Sequence, residues 1–171
     1  MTITAEGGIS QNGTGFNSIG GDIITLPASM SFARELQIRS SATLRAGGDI
    51  ILGDAVTGMA PGGASQLTLD SNAGNILLNG AVTNFAQLTL TAAGIALQSA
   101  PIQVSRLLLN GIGDYVLTNT DNRIGTLAAN VNGAINLTNN GPLTIGAVNG
   151  VNGVLSANGT VQIETLSTHR P

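Results

Sequence analysis

An all-β fold is expected here: a right-handed parallel β-helix, or β-solenoid, with about three short strands per coil and roughly seven to eight coils. Three observations lead to it. The stretch QLTLDSNAGNILLNGAVTNFA (66–86) is followed at once by a near copy, QLTLTAAGIALQSAPIQVSR (87–106). The apolar residues come in triplets that alternate, as in LTL, IAL, INL, LTI and VQI, which is the period of a strand with one face in a core. Between the triplets stand small polar corners in which Asn-Gly recurs, at 79–80, 110–111, 132–133, 149–150 and 158–159 among others, and both residues accept the positive φ of a sharp turn. Asn-Gly also marks hairpins. The regular recurrence favours a solenoid over a hairpin meander, because like residues are placed above like residues at a period of roughly 19–22, lengthening to about 26 where an insertion intervenes.

Taken in chain order, MTITAEGGISQNG (1–13) is a short version of the repeat, and SMSFARELQIRSS (29–41) reads as strand plus loop. Segment 42–58 has the full form, followed by the insertion MAPGGAS (59–65). Segments 66–86, 87–106, 107–126 and 127–148 continue it, NGVNG (149–153) interrupts it, and 154–167 repeats it again. This divides the chain into irregular N-terminal coils (1–41), regular coils (42–167) and a disordered tail (168–171). Three core ladders are expected. The first runs through Leu44, Leu67/Leu69, Leu88/Leu90, Leu107/Leu109, Leu127 and Leu155. The second runs through Ile50/Leu52, Ile76/Leu78, Ile95/Leu97, Tyr115/Leu117, Ile135/Leu137 and Val161/Ile163. The third runs through Val56, Val82, Ile102/Val104, Ile124, Leu143/Ile145 and Leu166. Leu78→Asp should then unfold the middle of the rod, and Thr89→Asp should be tolerated.

Composition supports the same picture. Hydrophobic residues make up 42% of the chain but aromatics only 2%, so the core is built of Leu, Ile, Val and Ala in many similar layers. Charged residues are 9% and the net charge is −3, which argues against nucleic acid as a partner. Cysteine is absent, excluding disulfides and thiolate chemistry. No apolar run is long enough to cross a membrane as a helix. No basic and apolar leader opens the sequence, so an exported protein would carry its signal outside this stretch.

The segments LTLDSNAGNILLNGAV, LRAGGDIILGDAV and LTLTAAGIALQSAPI resemble the repeat region of filamentous-haemagglutinin-like adhesins, large exoproteins of two-partner secretion in Gram-negative bacteria. In that family, segments of the form L-x-L-x-A-x-G-x-I-x-L are successive coils of a β-helix. The likeness covers 42–167 well and 1–41 loosely. The family's N-terminal secretion domain, with its Asn-Pro-Asn type motifs, is not visible. The resemblance implies a secreted or surface-exposed shaft, an outer-membrane secretion partner for the parent protein, and a host-cell or bacterial receptor or glycan as target. No binding residue of the family maps onto a position here.

Candidate chemistry is sparse. The single histidine, His169, lies near the C-terminus without an orienting partner in sequence. Asp49 and Asp54 flank one strand and fall at its opposite ends, while Asp70 falls at the level of Arg45 or Thr91, so no acid pair of glycosidase spacing is expected. AGGDIILGD has a passing likeness to a calcium-binding nonapeptide but lacks its order and tandem repetition. Asn12, Asn136 and Asn158 are acceptor sequons. The insertion is the most promising stretch, small, uncharged and bulging from the scaffold; its candidate adhesive residues are Thr57, Met59, Pro61, Ser65 and Gln66. The expectation is therefore a non-enzymatic shaft with no catalytic residues, cofactor or metal. Two alternatives stand beside it: a carbohydrate-active β-helix enzyme, and a self-assembling β-solenoid that associates end to end.

Overall fold

A computed structural model describes residues 3–11 and 14–166. The strands stack in parallel, coil upon coil, into a β-solenoid with three faces. The first face holds Ile3–Thr4, Ile23–Thr25, Ala42–Ala46 and Gln66–Ser71, then the later halves of Val82–Ala92, Ile102–Gly111 and Arg123–Val131. The second face is an eight-stranded parallel sheet of Ile9–Gln11, Met30–Phe32, Ile50–Leu52, Ile76–Leu78, Ile95–Gln98, Asp114–Leu117, Ile135–Asn140 and Val161–Leu166. The third face holds Asn17–Ile19, Leu36–Ile38 and Val56–Gly58, and continues in the first residues of the three long strands. In those coils the third and first faces run as one strand of 11, 10 and 9 residues. Eight stacked strands at ~4.8 Å give a rod about 34 Å long.

The ladders follow from alternation. Leu44, Leu69, Leu90 and Leu109 stand in register and fully buried on the first face, as do Ile50 with Ile76 and Leu52 with Leu78 on the second. Segment 29–41 resolves into two strands, Met30–Phe32 and Leu36–Ile38, each with its outer residues buried.

The corner before the second face is locked by side chains. Asp49 Oδ1 accepts from the Asn75 amide at 2.7 Å, Asn75 Oδ1 from the Ile95 amide at 2.9 Å, and Asp114 Oδ1 from the Ala134 amide at 2.7 Å. Each carboxylate or carboxamide thus reaches one coil ahead, satisfying an amide at the turn and holding the register of the next strand. The close stacking leaves no room for side chains at several corners: a Cβ on Gly113 would overlap the Gly94 carbonyl.

Several expectations need correction. In the coil 87–106 the second-face inward residues are Ala96 and Gln98, in register with Ile76 and Leu78, and Leu97 points outward, 40% exposed. Ala96 is in register with Tyr115, and both are fully buried. Near the C-terminal end the ladders are displaced because 149–153 is part of a β-hairpin, Ala147–Val148 against Val151–Asn152, turned by Asn149 and Gly150 at φ 51° and 81°. Ile145 therefore pairs with Leu127 on the first face rather than joining the third, and Val154, not Leu155, continues the inward row. Leu155 is exposed, and Leu166 belongs to the second face. Val148 is buried with Leu108 and Ala128, with Val151 packed on them, as a small cluster on the outer side of the first face. Thr89, in the same outward row as Leu108, is 7% exposed and receives a hydrogen bond from Gln87 Nε2, so it is no neutral surface position.

Candidate functional site

The 59–65 insertion bulges from the corner between the third and first faces. Val56–Gly58 ends at a buried glycine where a Cβ would meet the Asn84 carbonyl and Ser65 Oγ. The chain then turns through Pro61–Gly63, a 3-10 turn with Gly62 and Gly63 at φ 68° and 67°. It is fastened at three points: the Met59 amide to the Ile38 carbonyl at 2.7 Å, the Gln66 amide to Ser41 Oγ at 3.1 Å, and the Ala86 amide to the Ser65 carbonyl at 2.9 Å.

The expected adhesive residues divide. Met59, Pro61 and Gln66 are exposed. Thr57 is half-buried inside a strand, its register partners Gln37 and Thr83. Ser65 is 2% exposed and its hydroxyl has no hydrogen-bond partner among the described residues, so its role is packing under the loop rather than contact with a partner.

What the sequence did not indicate is the groove that the loop creates. On one side are Gly62 and Gly63; on the other are Gln103, Ser105, Arg123 and Gly125 of the next coils, with Asn84 and Phe85 between. The volume is about 310 Å³. Asn84 sits in the left-handed region, φ 62°, at the bulge between Thr83 and Phe85, and its amide donates to the Gly58 carbonyl. That bond ties the loop's start to the following coil. Ser105 and Gly125 are exposed lining residues: a Cβ on Gly125 would press on the Ser105 carbonyl, so neighbouring coils meet there without side-chain bulk. Along the outer third face Gln37, Thr57, Thr83, Gln103 and Arg123 stand in one polar row beside it.

The acids lie elsewhere. Asp22, Asp49, Asp54 and Asp114 each accept a backbone amide at a corner, and Asp70 pairs with Arg45 at 2.6 Å. Asp70 stands level with Arg45 and Thr91, as the repeat alignment placed it. Among the described residues no group of three or more His, Asp or Glu side chains is placed to hold a metal, and Asp49 of the GGD segment is engaged at the Asn75 amide. Asn136 lies on a second-face strand and Asn158 in an exposed turn against Asn132. Asn12, His169 and the tail 168–171 lie outside the described residues.

The fold and this groove define the chain as a β-solenoid with an inserted loop. No protein-family model, curated protein or solved structure matches it.

Proposed function

We propose that this chain is a non-enzymatic shaft segment of a secreted, adhesin-like exoprotein of the two-partner-secretion kind, in which the coils give reach and the 57–66 loop with its groove gives surface adhesion. The observation that carries the reading is the way polar groups are used. The aliphatic stack is continuous, and Asp22, Asp49, Asp54 and Asp114 serve as turn locks rather than converging on an open face. Polysaccharide cleavage needs two carboxyls facing one bond, whereas a rod that displays a loop needs only register. The coil motif's resemblance to the adhesin repeat points the same way, and the parent protein would then be exported through an outer-membrane partner.

The test is binding of the folded chain to epithelial cells and to a glycan array, with a heat-unfolded sample and a deletion of 59–65 as controls. Saturable binding lost in both controls is expected. A folded chain that binds neither cells nor glycans would leave a passive rod and remove adhesion from the reading. Release of new reducing ends from polysaccharides would replace it with an enzyme.

A further inference from the structure

Charge is scarce in this protein, and most of what the structure describes is paired. Arg45 bonds Asp70, Arg39 bonds Ser18 Oγ at 2.5 Å, and Arg34 is engaged as well. Arg106 and Arg123 differ: both are exposed, and neither guanidinium has a hydrogen bond or ion pair to a described residue. They are on adjacent coils, Arg123 in the outer row of the third face and Arg106 three register positions further along, where the first face begins. Arg123 lines the groove and stands in register with Gln103. Arg106 directly follows the groove residue Ser105 and pairs in register with Thr126, one position beyond Gly125. One unpaired guanidinium, Arg123, therefore lines the groove that an inserted loop builds, and a second, Arg106, directly follows its lining residue Ser105, in a chain of net charge −3 whose overall field repels anions.

The remaining lining narrows the chemistry. Asn84, Gln103 and Ser105 supply amides and a hydroxyl that both donate and accept, which suits ring hydroxyls. Phe85 is 2% exposed, so no aromatic face is offered for a nucleobase to stack on. A planar guanidinium fork fits a carboxylate with two parallel hydrogen bonds. We propose that this groove binds a sugar bearing a carboxylate, with Arg123 holding the carboxylate, Arg106 adding positive charge beside Ser105, and Gln103, Ser105 and Asn84 holding the neighbouring hydroxyls. The inference rests on the adhesive reading above and gives it a ligand class; a hexuronate and a sialic acid share the required chemistry.

The experiment is titration calorimetry on the full chain with four probes: galacturonate oligomers, sialyllactose, neutral galactose oligomers and dextran sulfate. Saturable binding of one of the two carboxylated sugars is expected, without binding of the neutral oligomers, and which one binds identifies the source. Arg123→Gln should weaken it by roughly tenfold and Arg106→Gln by less, with melting temperature unchanged because both side chains are exposed. Arg45→Gln removes the same charge away from the groove and should leave affinity as it was. The proposal is overturned if neither acidic sugar binds, if Arg123→Gln binds as wild type, if Arg45→Gln is equally harmful, or if dextran sulfate binds as tightly as the sugar and tolerates deletion of 59–65. Cell or glycan-array binding that survives Arg123→Gln and Arg106→Gln would preserve adhesion while removing this ligand.

Discussion

A phenol inside an aliphatic stack must find polar partners, and Tyr115 finds them across the core. Its hydroxyl accepts from the Ala92 amide at 3.1 Å and donates to the Asn110 carbonyl. Burial, only partly offset by these backbone bonds, pushes its pKa up from 10.0 to about 12. The neutral phenol is thus favoured in the folded state. Its contribution is complete below pH 10, where the unfolded phenol also keeps its proton, and is lost as pH rises through the folded value. The sequence has one Tyr, no Cys and no Lys, so Tyr115 is the side chain that titrates in this window. Stability should be flat from neutral pH to about 9.5 and then fall by on the order of 2 kcal/mol by pH 12, followed by melting together with phenolate absorbance. Tyr115→Phe should remove that slope, at a cost of about 1–2 kcal/mol at neutral pH from the two backbone groups left unpaired. Two other positions test which way residues face. Leu78 has no exposure, and Leu78→Asp should abolish the cooperative melt. Thr89→Asp should cost roughly 1–3 kcal/mol, whereas Asn130→Asp, on an exposed position of the same sheet, should change melting little. Equal melting of the Thr89 and Asn130 variants would refute the burial of that outer row.

At the scale of elements, the upper coils replace backbone with carboxamides. In lower coils the first amide of each third-face strand bonds a carbonyl of the next coil, as Leu36 to Ala55 at 2.9 Å and Val56 to Ala81 at 2.8 Å. Higher up, Asn122 Oδ1 takes the Ile102 amide at 2.8 Å, and Asn139 Oδ1 takes the Ile124 amide at 2.8 Å. Asn122 is fully buried and also donates to the Leu117 and Thr138 carbonyls. Asn122→Leu would leave three backbone groups unpaired and should cost about 2–4 kcal/mol, read as a lower denaturation midpoint at unchanged slope. The hairpin 147–152 matters equally: it covers Leu108 and Ala128, which would otherwise be an apolar patch on the outer sheet. Val148→Asp should expose that patch and raise binding of a hydrophobic dye while the second-face strands stay formed.

At the scale of the whole molecule, each coil is stabilised by the two beside it. The middle coils, with strands of 9–11 residues and fully buried rows, have neighbours on both sides. The terminal coils do not: Ile3 is 41% and Val161 46% exposed although both lie on inward rows. Amide exchange should therefore be slowest across 82–137 and fastest in 3–11, 14–25 and 154–166. Uniform protection would mean the rod unfolds only as a single unit.

The architecture was legible in the linear chain because a coil is a local object. Alternating triplets and Asn-Gly corners at a steady spacing specify which residues face the core, and the rows of Leu44, Leu69, Leu90 and Leu109 followed from that alone. The 59–65 insertion was legible too, as a break in period. Hidden were the features that depend on what one coil places against the next. Ala96 turns inward because its strand is in register with Ile76 on one side and Tyr115 on the other; Thr89 is buried in the outer row beside Leu108, with Gln87 bonded to it. Arg123 and the groove residue Ser105 are far apart in sequence yet line one groove, since 103 stacks on 123 and 106 on 126. Periodicity reports the inward face of a strand, where burial selects residue type. It carries no record of lateral juxtaposition on the outer face, where the groove lies, because that depends on the register between coils and on loops that local pattern does not place.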